Sequence, residues 1–485
     1  MPGFHVEHFG CRAARADGEA VSDRLRASGL CDRQPSVADV VIVNTCSVTA
    51  EADRAARAFI RRAHRQNPEA RIVVTGCYAQ RAPQELAGLP GVSAVVGNSH
   101  KALAPEIALR LIGHRAPQPP LVAPQAGSGL IQIEAAQAAS APQQVVWADD
   151  RFAHSFLEEA QLLPGAQTRP NLKIQEGCGN RCTFCVIPHT RGPSRSLSAA
   201  AILKQIEGFL AAGGNELVLS GINLGRWGRD LPDSQIADSR TLAGLMRRIF
   251  DETSLPRLRL SSIEPMDWNS ELIGLMARFG SSRLARNAHL PLQSGSDAEL
   301  RRMHRRYRPW HYEEKVWALV EAAGPDLTLG ADVMAGFPGE TDREFEETLD
   351  LVRKLPFGYL HLFPFSPRPG TRAWALHAEH PVAARTVEER MATLRSLALE
   401  KSKAHRRSFA GRELEAITLH TQPEVESMGR TSALTENFLP VKLEGRLAAN
   451  RLVRLRIAGM NKNGDLHGIP AVAEPSQYAA TAMSV

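Results

Sequence analysis

A chain of 485 residues has room for two or three domains with large cores. Its 43% hydrophobic and 23% charged content belongs to an ordinary globular protein, which excludes disordered and fibrous classes. The net charge of +6 permits a polyanionic partner without demanding one, and the longest apolar runs, ADVVIVN and RIVVTG, are far too short to cross a bilayer.

Residues 1–100 alternate short apolar runs with helical stretches. FHVEHFG, ADVVIVNT, RIVVTG and SAVVG read as strands, with helices over Ala14–Ser28, about Ala52–Arg65 and near Gln84–Ala87. This β-α rhythm predicts a small doubly wound parallel sheet with helices on both faces. Cys11, Cys46 and Cys77 then follow three of its strands, at the carboxyl edge where open α/β folds carry their ligands. One strand-end cysteine reads as a small buried hydrophobe; three at one edge point to a metal or cluster site. Cys31, in GLCDRQP, falls in a loop and reads as structural or incidental. The total of seven cysteines is odd, which argues for metal ligation or catalysis over a disulfide framework. MPGFHVEHFG lacks a basic region before an apolar stretch, so a cytoplasmic location is expected.

Composition shifts to Pro, Ala, Gln and Gly over 113–150, the mark of a linker or loose excursion. A second β/α series begins at Leu172, with strands in NLKIQEG, ELVLSGIN, RLRLSSIEP, AHLPLQSG, LTLGADVMAGF and GYLHLFPF. Helices such as Ala200–Ala212, Leu242–Asp251 and Glu344–Lys354 separate most of them, which predicts a partial, open β/α barrel. From about Arg412, ELEAITLHT, MGRTSALT, FLPVKLEG and RLVRLRIAGM predict a small β-barrel of the oligonucleotide-binding type. The expected domains are 1–112, a linker 113–168, 169–405, 406–472 and a loose tail 473–485.

The segment after the first strand of the second series carries the chemistry. Cys178, Cys182 and Cys185 form C-x3-C-x2-C on one loop, enough to hold three irons of a four-iron cubane. No fourth cysteine lies nearby, so one iron stays open to the amine and carboxylate of S-adenosylmethionine. Electron transfer into the sulfonium then yields a 5′-deoxyadenosyl radical. The alternative, a zinc site, would need a fourth ligand such as His189, and this spacing is not usual for zinc.

That spacing resembles the radical S-adenosylmethionine superfamily, and the surrounding motifs resemble its methylthiotransferases over nearly the whole chain. HFGC at Cys11, NTCSVT at Cys46 and TGCYAQ at Cys77 are similar to that family's N-terminal domain. There, the resemblance implies, the three cysteines bind a second four-iron cluster, which delivers the sulfur. GCGNRCTFCVIPHTRGPSRS, LPLQSGS, MAGFPGET and FPFSPRPGT resemble its barrel motifs, and the C-terminal segment is similar to a TRAM domain, an RNA-binding β-barrel. NTCSVTAEADRAARAFIRRAHRQNPEARIVVTGCYAQ looks most like the MtaB branch. That branch methylthiolates C2 of N6-threonylcarbamoyladenosine at tRNA position 37. The resemblance therefore implies two [4Fe–4S] clusters, S-adenosylmethionine, a tRNA anticodon stem-loop as substrate, and an electron donor such as flavodoxin or ferredoxin. It implies no membrane or DNA partner. HFGCRAARADGEA departs from the pattern, with Arg-Ala-Ala where relatives carry a more polar run with Asn, and 113–150 has no counterpart.

Gly221 and Gly336 end predicted strands facing the cluster loop and, with Gln293, are candidate cofactor-binding residues; Ser294 reads equally as a cap. Arg301, Arg302, Arg305, Arg306 and Arg308 form a basic run that is a solvated face unless it rims the site and holds tRNA phosphates. Arg454 and Arg456 alternate with Leu455 and should share one face; with Arg446 and Arg451 they are candidate RNA contacts. Sister activities on isopentenyladenosine or on an aspartate of a ribosomal protein are the enzyme alternatives. An RNA-binding iron–sulfur sensor is the non-enzyme one, disfavoured because binding alone needs no open iron.

Overall fold

The computed structural model describes residues 1–113, 145–152, 162, 168–232, 240–280 and 282–471. Most of the expected linker and the whole tail 473–485 lie outside the described residues. The chain divides into two compact units. One comprises Met1–Ala160 with Gly177–Gly179 and Val186–Pro193; the other comprises Gln161–Glu176, Asn180–Cys185 and Ser194–Val485.

The first unit is built on strands β1 (Gly3–His8), β2 (Cys31–Asp32), β3 (Val40–Thr45), β4 (Arg71–Gly76), β5 (Val92–Gly97) and β6 (Val145–Trp147). They form one sheet in the order β2-β1-β3-β4-β5-β6, all parallel. Val40 to Val43 are all fully buried because successive side chains serve opposite faces. Val41 and Val43 pack with Ala56, Phe59 and Ile60 on one side. Val40 and Ile42 pack with Leu25 and Ala108 on the other. The helix Ala50–Gln66 starts at Thr49, whose Oγ1 accepts from Ala52 N at 3.2 Å, with Glu51 and Asp53 in its first turn.

Two edge strands correct the sequence reading. Cys31 is not in a loop but opens β2, paired with Gly3, and β6 lies inside the stretch read as linker. Strands of two and three residues are too short to carry a period.

The second unit begins with β7 (Asn171–Glu176), β8 (Arg195–Ser196), β9 (Glu216–Gly221) and β10 (Arg257–Leu260), ordered β10-β9-β7-β8. Strands β11 (Asn287–His289), β12 (Thr328–Ala335) and β13 (Phe357–Pro364) form a second parallel sheet. A parallel bridge from Leu258 to Leu284 joins the two, so β7, β9, β10, β11, β12 and β13 make the wall of an open barrel. After it, β14 (Glu413–Thr418), β15 (Arg430–Thr435), β16 (Pro440–Glu444), β17 (Leu452–Met460) and β18 (Leu466–Pro470) close into a five-stranded barrel around Leu414, Leu443, Leu455 and Ile457. Among the described residues no helix is long and apolar enough to cross a membrane.

The small barrel is fastened to the amino ends of the larger barrel's strands. Glu216, the first residue of β9, is fully buried and accepts from Arg259 Nε at 2.9 Å and Arg257 Nη1 at 3.3 Å. Burial alone would push its carboxyl up, but Arg259, Arg169 and Arg257 hold it below the usual range. Arg259 Nη2 then donates to Thr435 O at 3.1 Å, and Arg257 pairs with Glu415. Asn437 Nδ2 donates to Asp326 O at 2.9 Å, and Asn450 Nδ2 to Gly213 O at 2.8 Å. Phe438 packs its ring 5.4 Å from that of Tyr359. Glu216 is therefore the anchor of this junction. Glu216→Ala takes from the buried Arg259 the carboxylate that balances its charge and should cost about 3–5 kcal/mol, read as a lowered midpoint in denaturant unfolding.

Candidate functional site

In the first unit, Cys11 precedes the helix Arg12–Ala27, Cys46 follows β3, and Cys77 opens the helix Cys77–Arg81 directly after β4. The strands are in step here, His8 opposite Asn44 and Thr45 opposite Gly76, which brings the three cysteines to one edge. The Cys46 thiol is pushed up to about 12, first by burial and then by neighbouring Cys77 and Cys11. Three soft sulfur donors gathered at one edge, with Cys46 and Cys77 buried, are a donor set that suits a metal cluster. Gly10 keeps the space open: its φ is +110°, and a Cβ there would stand 2.6 Å from Cys46 Sγ.

Polar donors converge on these sulfurs. Val48 N points at Cys46 Sγ at 3.5 Å, and Asn98 Nδ2 at Cys77 Sγ at 3.4 Å. Arg191, fully buried, places Nε 3.3 Å from Cys77 Sγ and Nη1 3.0 Å from Asp17 Oδ2. Sequence reasoning missed Arg191, Asn98 and Asp17.

The loop of Cys178, Cys182 and Cys185 leaves β7. In the first unit Cys178 N donates to Gly192 O at 3.1 Å. In the second, Cys185 N donates to Cys182 O at 3.1 Å, a turn pinned by Thr183 N to Met303 O at 3.1 Å and by Ala373 N to Thr183 O at 2.9 Å. Arg305 Nη1 lies 3.3 Å from Cys182 Sγ. None of the three is in a disulfide and all three are half-exposed, as ligands open to a cofactor must be.

At the carboxyl ends of the barrel strands, Gly221 closes β9, and a Cβ there would lie 3.0 Å from Gln175 Cβ. Gly336 follows β12 with φ +78°; its N donates to Glu340 Oε2 at 2.6 Å, and a Cβ would stand 2.5 Å from Val387 Cγ2. The structure thus gives Gly336 a conformational and packing reason of its own. Gln293 is held at φ +64° between β11 and β12, its N donating to Asp332 O at 2.7 Å and its O accepting from Met334 N at 2.9 Å. Its Oε1 is buried without a hydrogen-bond partner among the described residues. A buried amide oxygen left so wants an N–H donor, and the amino groups of S-adenosylmethionine supply that kind of donor. Behind it, Ser294 Oγ donates to Glu299 Oε2 at 2.6 Å; burial, then Glu340, pushes the Glu299 carboxyl well above the usual range.

A further group escaped sequence reasoning because its members sit on three strands. Asp332 Oδ1 lies 3.1 Å from His289 Nε2 and 3.3 Å from His361 Nδ1. Burial opposes its charge, yet the two imidazoles hold its carboxyl below the usual range.

The basic run divides. Arg305 is not an RNA contact: its side chain is 5% exposed and spent on Cys182, Glu264 and Tyr307. Arg302 is likewise committed, gripping Glu344 through Nη1 at 2.6 Å and Nη2 at 2.9 Å. Arg301 and Arg308 share Asp297, and Arg306 is exposed. Charge density in the sequence could not separate these fates, since Cys182, Glu264 and Glu344 lie far from the run along the chain. Arg454 and Arg456 are exposed on β17 with Leu455 buried between them, and Arg446 and Arg451 are exposed as well.

Comparison with known proteins fits this geometry. The model of the Uncharacterized protein family UPF0004 matches residues 3–97, and that of the Radical SAM superfamily matches residues 172–352. Threonylcarbamoyladenosine tRNA methylthiotransferase MtaB of Bacillus subtilis (strain 168) is 33% identical over 91% of this chain and 90% of its own length. MtaB of Aquifex aeolicus (strain VF5) is 33% identical over 93% and 99%. The tRNA-2-methylthio-N(6)-dimethylallyladenosine synthase of Parafrankia sp. (strain EAN1pec) is 33% identical over 94% and 83%. Among solved structures, the radical S-adenosylmethionine methyltransferase TsrM of Kitasatospora setae, with cobalamin and a [4Fe–4S] cluster bound, shares the fold at TM-score 0.50 and 16% identity. That match covers 78% of this chain and 75% of TsrM. With a radical domain behind one cysteine loop and relatives matched nearly end to end, the chain belongs to the radical S-adenosylmethionine methylthiotransferases, an enzyme of the MtaB branch that uses S-adenosylmethionine and an iron–sulfur cluster.

Proposed function

We propose that the enzyme methylthiolates C2 of N6-threonylcarbamoyladenosine at position 37 of tRNA, using a second four-iron cluster on Cys11, Cys46 and Cys77. The observation that carries this reading is the gathering of those three cysteines at one sheet edge, in a chain whose radical loop is complete. Cys178, Cys182 and Cys185 hold three irons and leave the fourth for S-adenosylmethionine, with Gly221, Gln293 and Gly336 around the cofactor. When bound, these groups supply a 5′-deoxyadenosyl radical and a sulfur for insertion at carbon. Arg301, Arg306, Arg454 and Arg456 hold tRNA phosphates, which orient the RNA and make binding salt-dependent. Electrons come from a small carrier such as flavodoxin or ferredoxin.

The threonylcarbamoyl substrate is supported by the MtaB relatives and the isopentenyl alternative by the Parafrankia relative. Deleting the gene and analysing tRNA nucleosides by mass spectrometry decides between them. Loss of 2-methylthio-N6-threonylcarbamoyladenosine is expected. Its persistence, with the isopentenyl methyl thioether lost instead, reassigns the substrate; persistence of both methyl thioethers rejects a tRNA substrate.

A further inference from the structure

Among the described residues, each cysteine triad has a buried arginine aimed at one of its sulfurs. Arg191 reaches Cys77 Sγ at 3.3 Å while Asp17 Oδ2 holds it from behind at 3.0 Å; Lys101 Nζ takes the other oxygen of Asp17 at 3.1 Å. Arg305 reaches Cys182 Sγ at 3.3 Å while Glu264 Oε2 holds it at 2.7 Å. Tyr307 Oη accepts from Arg305 Nε at 3.2 Å, and that hydroxyl is fixed in turn by Pro291 O at 2.8 Å. The two sites share no residue, yet repeat one arrangement: sulfur, guanidinium, carboxylate.

The arrangement has a definite electrostatic sign. A guanidinium stays charged at every accessible pH, so it is a fixed positive centre. Both arginines are withdrawn from water, where charge and hydrogen bonding act more strongly than at a surface. A donor and a positive charge at a cysteine sulfur favour the more negative, reduced form of a cluster, and hydrogen bonds to sulfur are among the levers that set its potential. The carboxylate behind each guanidinium opposes that effect.

We propose that Arg191 and Arg305 are potential-setting residues: each raises the reduction potential of the cluster held by its triad, and Asp17 and Glu264 restrain the rise. The inference rests on reading the six cysteines as ligands of two clusters.

The test is a redox titration of the reconstituted full-length protein, followed by electron paramagnetic resonance, with iron counted in every sample. To read one cluster at a time, the opposite triad is changed to alanine. Arg191→Met or Arg305→Met should lower the reduced-to-oxidised ratio of its own cluster at least tenfold at fixed potential, a drop of about 59 mV for a one-electron couple. The other cluster should not move. Asp17→Asn and Glu264→Gln should shift the same clusters the opposite way. A merely structural role would change iron content and leave the potentials alone. Unmoved potentials at full iron, or shifts of one sign for both kinds of substitution, would overturn the proposal. If a methionine variant fails to hold its cluster, the two carboxylate variants, which keep the arginine in place, decide by the sign of their shift. Absence of iron at a triad in the otherwise unmodified protein would instead reject the cluster reading.

Discussion

Alanine at any one of Cys178, Cys182 and Cys185 is expected to stop S-adenosylmethionine cleavage. With one thiolate gone, the loop has no replacement thiolate in sequence: Gly179, Asn180, Arg181, Thr183 and Phe184 are the intervening residues, and the next cysteine back along the chain is Cys77. The turn from Cys182 to Cys185 is pinned by Thr183 to Met303 and by Ala373, so the backbone has little freedom to bring in a distant donor. The rate of 5′-deoxyadenosine formation should fall by at least about 10³-fold, a barrier increase of ~4 kcal/mol. Chromatographic quantification of 5′-deoxyadenosine with dithionite as reductant checks it. A variant that retains a tenth of the activity would show that the loop is not the radical centre.

Changing Cys11, Cys46 and Cys77 together should give a different phenotype. Methylthio product should disappear from tRNA, while 5′-deoxyadenosine formation persists to within about twofold, as for sites that share no partner. The reasoning is local: the three thiols answer to one another and to Asn98 and Arg191, and their sheet keeps its two cores whether or not the edge is occupied. Iron content should drop by about half if each triad holds one four-iron cluster, as proposed. Loss of cofactor cleavage along with thiolation would mean that this edge serves the radical step itself.

Much of this was legible before any coordinates. Runs such as VVIV, buried on both faces, announce a covered parallel sheet, and cysteines that end such runs must meet at one edge. The cluster loop was legible because its ligands are neighbours in sequence. What escaped was whatever depends on partners far along the chain. Arg191 meets a sulfur 114 residues away, Arg305 one 123 residues away, and Asp332 gathers imidazoles from strands on either side. The basic run at 301–308 stayed undecided for the same reason: composition counts charges, but burial and carboxylate partners decide which of them face solvent. The edge strands β2 and β6 were too brief to announce themselves.

The junction built on Glu216 sets a distance. The five-stranded barrel is secured at the amino ends of β9 and β12, strands of six and eight residues, whereas Gly221 and Gly336 lie at their carboxyl ends, as the cluster loop follows β7 and Gln293 follows β11. At a rise of about 3.3 Å per residue the two levels stand roughly 20–26 Å apart. On the proposed reading, an RNA gripped at the lower level and modified at the upper one would be measured as by a caliper, and a nucleoside presented at any other spacing would fail to reach the rim. A short oligonucleotide that carries the target base but not the flanking stem would close only one jaw.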